Sequence, residues 1–239
     1  PEAFGQFAVI ISLGLILGQV LRLQMDMALA GKEDAYEVRQ TARAAVTLCL
    51  YTAGPIVLLL GPAAFLFQLS PLAVISALLV VTQAVATSLY TVAGKLLALD
   101  DQHQRLASRS VQLSVLAVSM QGALAHVASH FGLVLGSVTA RTVVALRLLI
   151  PQLQPTLFVP KSQLRVILRT NQNAIRLSIP AVLNSISLNL VAPFFAWRFG
   201  TNVAGHVALV WQLVSLPASL VGSAVGQVLL VQTGHRVST

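Results

Sequence analysis

The sequence predicts an all-α fold, a polytopic helical membrane protein with about seven transmembrane helices. Three observations carry this. Fifty-six per cent of the residues are hydrophobic and only 9% are charged. A soluble domain carries about 25% charged residues, so this chain lacks the polar side chains to cover a water-facing surface. Its apolar segments run to about 18 residues or more, enough to cross roughly 30 Å of hydrocarbon at 1.5 Å per residue. Finally, its basic residues fall on every second connection between those segments. Strand-like alternation is missing from the apolar runs, which argues against a barrel. The net charge of +8 follows from loop asymmetry, so nucleic acid is not an expected partner.

The first span is expected over residues 4–29, the second over 44–67 and the third over 71–94. The fourth covers 106–128, the fifth 131–150, the sixth 177–197 and the seventh 203–231. Gly54-Pro55 and Gly61-Pro62 mark the second, Pro180 the sixth and Pro217 the seventh. Prolines are tolerated in membrane helices where neighbours satisfy the freed carbonyl, and they mark bends. Lys32, Arg39 and Arg43 lie between spans one and two. Lys95, Arg105 and Arg109 follow span three, and Arg147, Lys161, Arg165, Arg169 and Arg176 follow span five. The intervening turns carry only Arg198, and the tail carries Arg236. Such alternation puts the chain start outside and the basic loops and final tail in the cytoplasm.

Residues 151–176 read differently. Pro151, Pro155 and Pro160 interrupt helix propagation. Lys161, Arg165 and Arg169 then recur at i, i+4 and i+8, with Leu164, Ile167, Leu168 and Ile175 on another face. This pattern predicts a basic amphipathic helix on the anionic cytoplasmic leaflet, so membrane lipids are expected partners. The domains expected are a first bundle at 1–150, this linker at 151–176 and the start of a second bundle at 177–239.

The chain carries a weak internal repeat at an offset of 200 residues. Gly5 falls on Gly205, Ala8 on Ala208, Leu13 on Leu213 and Leu29 on Leu229. The same helix-opening phrase is used twice: Gly5-Gln6-Phe7-Ala8 and Gly205-His206-Val207-Ala208. Six intervening crossings give both copies one orientation, a parallel repeat about an axis along the membrane normal.

The stretches PEAFGQFAV at the start, IRLSIPAVLNSISLNLVAPFFAWRFG at 175–200 and AGHVALVWQLVSLPASLVGSAVGQVLL at 204–230 resemble the polysaccharide (O-antigen type) flippases. These belong to the multidrug/oligosaccharidyl-lipid/polysaccharide exporter superfamily. Ser215-Leu216-Pro217 and Gly226-Gln227-Val228 add to the likeness. The resemblance implies two bundles of about six helices enclosing an alternating-access cavity. The chain, which opens on Pro1, would then be a fragment holding the second to eighth helices. It also implies transport of an undecaprenyl-diphosphate-linked oligosaccharide from the cytoplasmic to the periplasmic leaflet, with no enzymatic activity and no cofactor.

Charges within hydrocarbon are the informative residues on this reading. Arg141 falls near the middle of the fifth span without an acid on its own helix. It is a candidate contact to the diphosphate, since guanidinium binds phosphate oxygens bidentately. The structural alternative is bonding to carbonyls freed by Pro55 or Pro62. Arg22 and Asp26 stand four apart on the first span and can pair. Arg22 could bind phosphate and Asp26 could couple a cation or proton, or the two could be a snorkelling pair at the interface. Arg43 is a further candidate, or a topology charge. Asn184 and Ser187 share a face of the sixth span and could bind sugar hydroxyls or a neighbouring helix. Gly14-x-x-x-Gly18 and Gly222-x-x-x-Gly226 read as packing faces.

No metal site is expected. His126 and His130 lack a completing ligand, and Asp100-Asp101 lacks a third carboxylate. Gly-rich phosphate loops, nucleophile elbows and cysteine clusters are missing too. A drug–cation antiporter of the same superfamily is the near alternative, although its cavity should be acidic. An integral-membrane glycan polymerase or ligase is the more distant one, although it should carry a long outer loop.

Overall fold

A computed structural model describes residues 2–32, 34–68, 70–99, 103–127, 131–153 and 158–215. Among them the chain is helical throughout, without strands. Four helices are long and apolar enough to cross a membrane: α1 (Glu2–Arg22), α2 (Ala35–Leu66), α3 (Pro71–Leu99) and α5 (Gly132–Leu153). Between α3 and α5 runs α4 (His103–Val127), and after α5 come α6 (Lys161–Thr170), α7 (Gln172–Arg176), α8 (Ser178–Asn189) and α9 (Val191–Phe199). A last helix begins at residue 201 and is described to 215. The architecture is that of a helical membrane protein. The readings at Asp100-Asp101, His130 and residues 216–239, including Pro217, Gly222 and Gly226, lie outside the described residues.

The first helix is shorter than expected. It stops at Arg22 because Leu23 and Gln24 adopt left-handed conformations, with φ of 45° and 54°. Such a backbone costs a non-glycine residue about 1–2 kcal/mol. The cost is offset by burial, since Met25 and Leu29 are fully enclosed in the core that follows. A short 3-10 turn at Ala28–Gly31 completes the connection. Asp26 therefore lies in a turn and not on the helix, a correction to the first span expected over 4–29.

The second helix starts earlier than expected, at Ala35. Asp34 caps it, its carboxylate accepting from the Tyr36 N–H at 3.0 Å. Its 32 residues reach about 48 Å, beyond the hydrocarbon thickness, so its first turns project past the span. The fourth helix is long enough to cross but less apolar, and it does not qualify with the other four. Its serines satisfy themselves: Ser114 and Ser119 donate to the carbonyls of Ser110 and Val115 at 3.0 and 2.8 Å. That back-bonding lowers the cost of hydroxyls on an otherwise apolar helix.

The sixth expected span is broken. Helices α7 and α8 meet at Leu177, and the α7–α8 segment and α9 differ in direction by 45°. Proline accounts for both breaks. Pro180 and Pro193 lack the N–H that would bond the carbonyls of Arg176 and Asn189. If the bent pair is one span, the described residues hold five.

Helix α3 is the structural centre. Leu89, Val92, Ala93 and Leu96 join the largest apolar cluster, with Ala42, Ala45 and Leu48 of α2 and Leu149 and Leu153 of α5. Val81 and Ala84 join Leu21, Cys49 and Ala53 in a second cluster. Leu79 joins Ile10 and Val134 in a third. Glycines bring α1 against α3, as the packing-face reading expected. A Cβ at Gly14 would lie 2.5 Å from Gln83 Cγ, and one at Gly18 would lie 3.1 Å from the Ala84 carbonyl oxygen. In the α4–α5 hairpin, Gly136 similarly admits the backbone of Gln121.

The two copies of the repeat meet. Gly5 lies about two and a half turns before Gly14 and so faces away from α3. Its neighbour there is the opening of the final helix. A Cβ at Gly5 would lie 2.7 Å from the Thr201 carbonyl carbon and 3.2 Å from the Gly205 nitrogen. Gly200, with φ of 87°, turns the chain from α9 into that helix.

Candidate functional site

Helix α3 positions two groups of cations on two of its sides. Ser88 and Lys95 lie on the side of α3 that meets α1. Tyr90 and Gly94 lie roughly 100–160° around the helix, toward α4 and α5.

On the α1 side, Arg22 ends the helix and is 8% exposed. Its Nε donates to the Gly18 carbonyl at 3.2 Å, and its Nη2 donates to Gln19 Oε1. Its Nη1 reaches Asp26 Oδ2 at 3.4 Å. Lys95 Nζ approaches the same oxygen more closely, at 2.8 Å. Asp26 is 4% exposed, and its other oxygen, Oδ1, has no hydrogen-bond partner. One carboxylate thus serves two cations, and it is the only buried carboxylate among the described residues. The expected Arg22–Asp26 pair forms, although it forms across the left-handed turn and not along a helix face.

On the far side, the Arg109 guanidinium of α4 lies over the Tyr90 ring, 3.7 Å from its centroid. It occupies the space left by the missing side chain of Gly94, where a Cβ would lie 2.6 Å from Arg109 Cζ. Arg141 of α5 also has Tyr90 within its electrostatic reach. Its Nη1 and the Nε of Arg109 are buried without hydrogen-bond partners. No ion pair joins either arginine to a carboxylate among the described residues. The Arg109 guanidinium is therefore held by an aromatic ring, and both arginines retain unused donors. That is the requirement for receiving an anion with several oxygens.

The other expected residues lie apart. Arg43 is half-buried in α2, its carbonyl accepting from Thr47 Oγ1 at 2.7 Å. Asn184 and Ser187 are exposed on α8, and Ser187 donates to the Leu183 carbonyl at 3.0 Å. Among the described residues, no ion pair or hydrogen bond joins Asn184 or Ser187 to either arginine group. A cleft of about 140 Å³ opens at the end that carries the basic loops, lined by Lys32, Val38, Arg39, Leu96 and Gln152. Among the described residues no group of three or more His, Cys, Asp or Glu could hold a metal ion.

Lys95, Arg109 and Tyr90 belong to the candidate site, and the sequence reading passed over them. Lys95 and Arg109 were counted as loop charges. The available signal was the spacing of Tyr90, Gly94 and Lys95, which puts an aromatic, a gap and a cation within two turns of one helix.

The fold and the two cation groups define a class: a helical membrane protein with positive charge held inside its bundle. No protein-family model, curated protein or solved structure matches the chain.

Proposed function

We propose that the chain belongs to a bacterial inner-membrane transporter for a lipid-linked oligosaccharide. It would move an undecaprenyl-diphosphate-linked glycan from the cytoplasmic to the periplasmic leaflet by alternating access. The observation that carries this reading is the pair Arg109 and Arg141. Both have buried, unused donors, and no carboxylate balances them among the described residues. Charge inside a membrane bundle is costly and marks ligand or ion pathways. The sign here is positive, which fits a diphosphate and opposes a drug cation. The acid that an antiporter would use, Asp26, is already engaged by Arg22 and Lys95.

In this reading the basic loops face the cytoplasm and the chain start faces the periplasm. Arg22, Lys95 and Arg109 lie toward the side where substrate is loaded, with Arg141 nearer mid-depth. The diphosphate would bind Arg141 and Arg109, while the basic cleft at Lys32 and Arg39 would attract it from the cytoplasmic surface. The contact of Gly5 with Thr201 and Gly205 lies at the opposite end and would keep the outer side closed during loading. The resemblance to polysaccharide flippases supports the substrate class.

The test is genetic complementation. A strain lacking the gene should accumulate lipid-linked repeat units on the cytoplasmic leaflet, and the full-length gene should clear them. The variant Arg141→Gln should accumulate to normal protein level and fail to clear them. Normal export in the deletion strain would remove the transport reading, and full rescue by Arg141→Leu would remove Arg141 from the site.

A further inference from the structure

The amphipathic helix α6 is more than a positive connector. Its apolar face packs on the bundle: Leu164 and Ile167 are buried in the largest core cluster beside Ala42, Leu149 and Val159. The Val159 N–H donates to Thr47 Oγ1 of α2 at 3.1 Å. Lys161 Nζ lies 5.4 Å from the centroid of the Tyr51 ring. Thr47 and Tyr51 stand about 5–10 Å inside the expected start of the second span, at Ala44. Helix α6 is therefore fixed at the boundary between lipid headgroups and acyl chains, where interfacial helices lie.

Against this helix and α7 opens a groove of about 360 Å³, lined by Lys161, Leu164, Arg165, Leu168, Arg169 and Ile175 together with Gln172. The three cations are exposed at i, i+4 and i+8, and the leucines and isoleucine form an apolar floor. Nothing in the described residues neutralises them: no ion pair joins them to a carboxylate. The sequence has no Asp or Glu after Asp101. A fixed row of cations over an apolar floor, at that boundary and without acids of its own, calls for an external anion with a hydrocarbon tail.

We propose that this groove binds an anionic phospholipid of the leaflet on the side of the basic loops. Its phosphodiester lies on Arg165 and Arg169, which bind phosphate oxygens through paired N–H groups, and its acyl chains lie along Leu168 and Ile175. This inference rests on the membrane class and is independent of the transported substrate.

The test uses the whole chain purified in neutral detergent and titrated with phosphatidylglycerol or phosphatidylcholine, with bound lipid counted by native mass spectrometry. Wild type should retain phosphatidylglycerol in preference. The triple variant Lys161→Gln, Arg165→Gln, Arg169→Gln should lose that preference, at roughly fivefold in affinity for each cation removed. Inorganic phosphate should leave the bound lipid in place because it has nothing to offer the apolar floor. A second measurement needs no variant. Raising salt to about 1 M, where the screening length falls to about 3 Å, should erase the preference in wild type. Unchanged retention in the triple variant, equal retention of phosphatidylcholine, displacement by inorganic phosphate or a preference that survives high salt would each overturn the proposal.

Discussion

Gly5 and Gly205, which the 200-residue repeat sets side by side, touch in space. The final helix opens against α1 so closely that a Cβ at Gly5 would lie 3.2 Å from the Gly205 nitrogen and would collide with the Thr201 carbonyl. The repeat is thus a contact as well as a sequence pattern, and it joins the first helices to the later ones at the end away from the basic loops.

This contact predicts opposite outcomes for two alanine substitutions. In a helix interior, Gly→Ala ordinarily stabilises by about 0.5–1 kcal/mol. Gly54 has nothing within 4 Å of its Cβ position, so Gly54→Ala should follow that rule. Gly5→Ala meets backbone, which cannot rotate away, and should destabilise by about 1–3 kcal/mol. Thermal denaturation of both variants in detergent decides it. Equal midpoints would show that α1 and the final helix are not in contact in the membrane protein.

Asp26 predicts an asymmetry among three charges. Removing one member of a buried pair leaves its partner uncompensated, at about 3–5 kcal/mol. Asp26→Asn leaves two cations without their carboxylate. Lys95→Met leaves Arg22 still beside Asp26, and the lysine side chain is already 29% exposed. Asp26→Asn should therefore cost more than Lys95→Met in denaturation experiments. The double variant should cost less than the sum of the two, because the residues interact directly. Strict additivity would mean that the 2.8 Å approach of Lys95 to Asp26 contributes nothing.

Much of this was legible in the sequence, for identifiable reasons. Gly14 and Gly18 announced a packing face because small residues one turn apart let backbones approach, and α3 occupies that face. Arg22 and Asp26 announced a pair by spacing. The spacing argument assumed a continuous helix, and the left-handed turn at Leu23 and Gln24 was invisible because neither residue type favours it. Lys95 and Arg109 were misread because counting loop charges treats every cation near a span end alike. Their burial depends on Asp26 and Tyr90, which other parts of the chain bring to them. Pro193 carried a bend signal of the same kind as Pro180, and it breaks the sixth span.

Tyr90 predicts a difference between two conservative changes. The ring face holds the Arg109 guanidinium at 3.7 Å, an interaction worth about 2 kcal/mol when desolvated. Tyr90→Phe keeps that face and should stay close to wild type in stability. Tyr90→Leu removes it and should lower stability by about 1–2 kcal/mol, with Arg109→Gln nearly silent once the ring is gone. Equal denaturation midpoints for the phenylalanine and leucine variants would show that packing alone holds Arg109.

Pro193 predicts a movement. The α7–α8 segment and α9 differ in direction by 45°, and α9 has nine residues. At 1.5 Å per residue, straightening the break would carry the end of α9 about 9 Å sideways. Thr201, two residues beyond that end, would then leave Gly5. The Pro193→Ala substitution restores an N–H that can bond the Asn189 carbonyl and so favours the straight form. Spin labels at Glu2 and Phe199, both exposed, should report a longer and broader distance distribution in the variant than in the protein with proline. An unchanged distribution would assign the bend to the packing of α8 and α9 against α1, with proline merely tolerated at a break that the contact itself enforces.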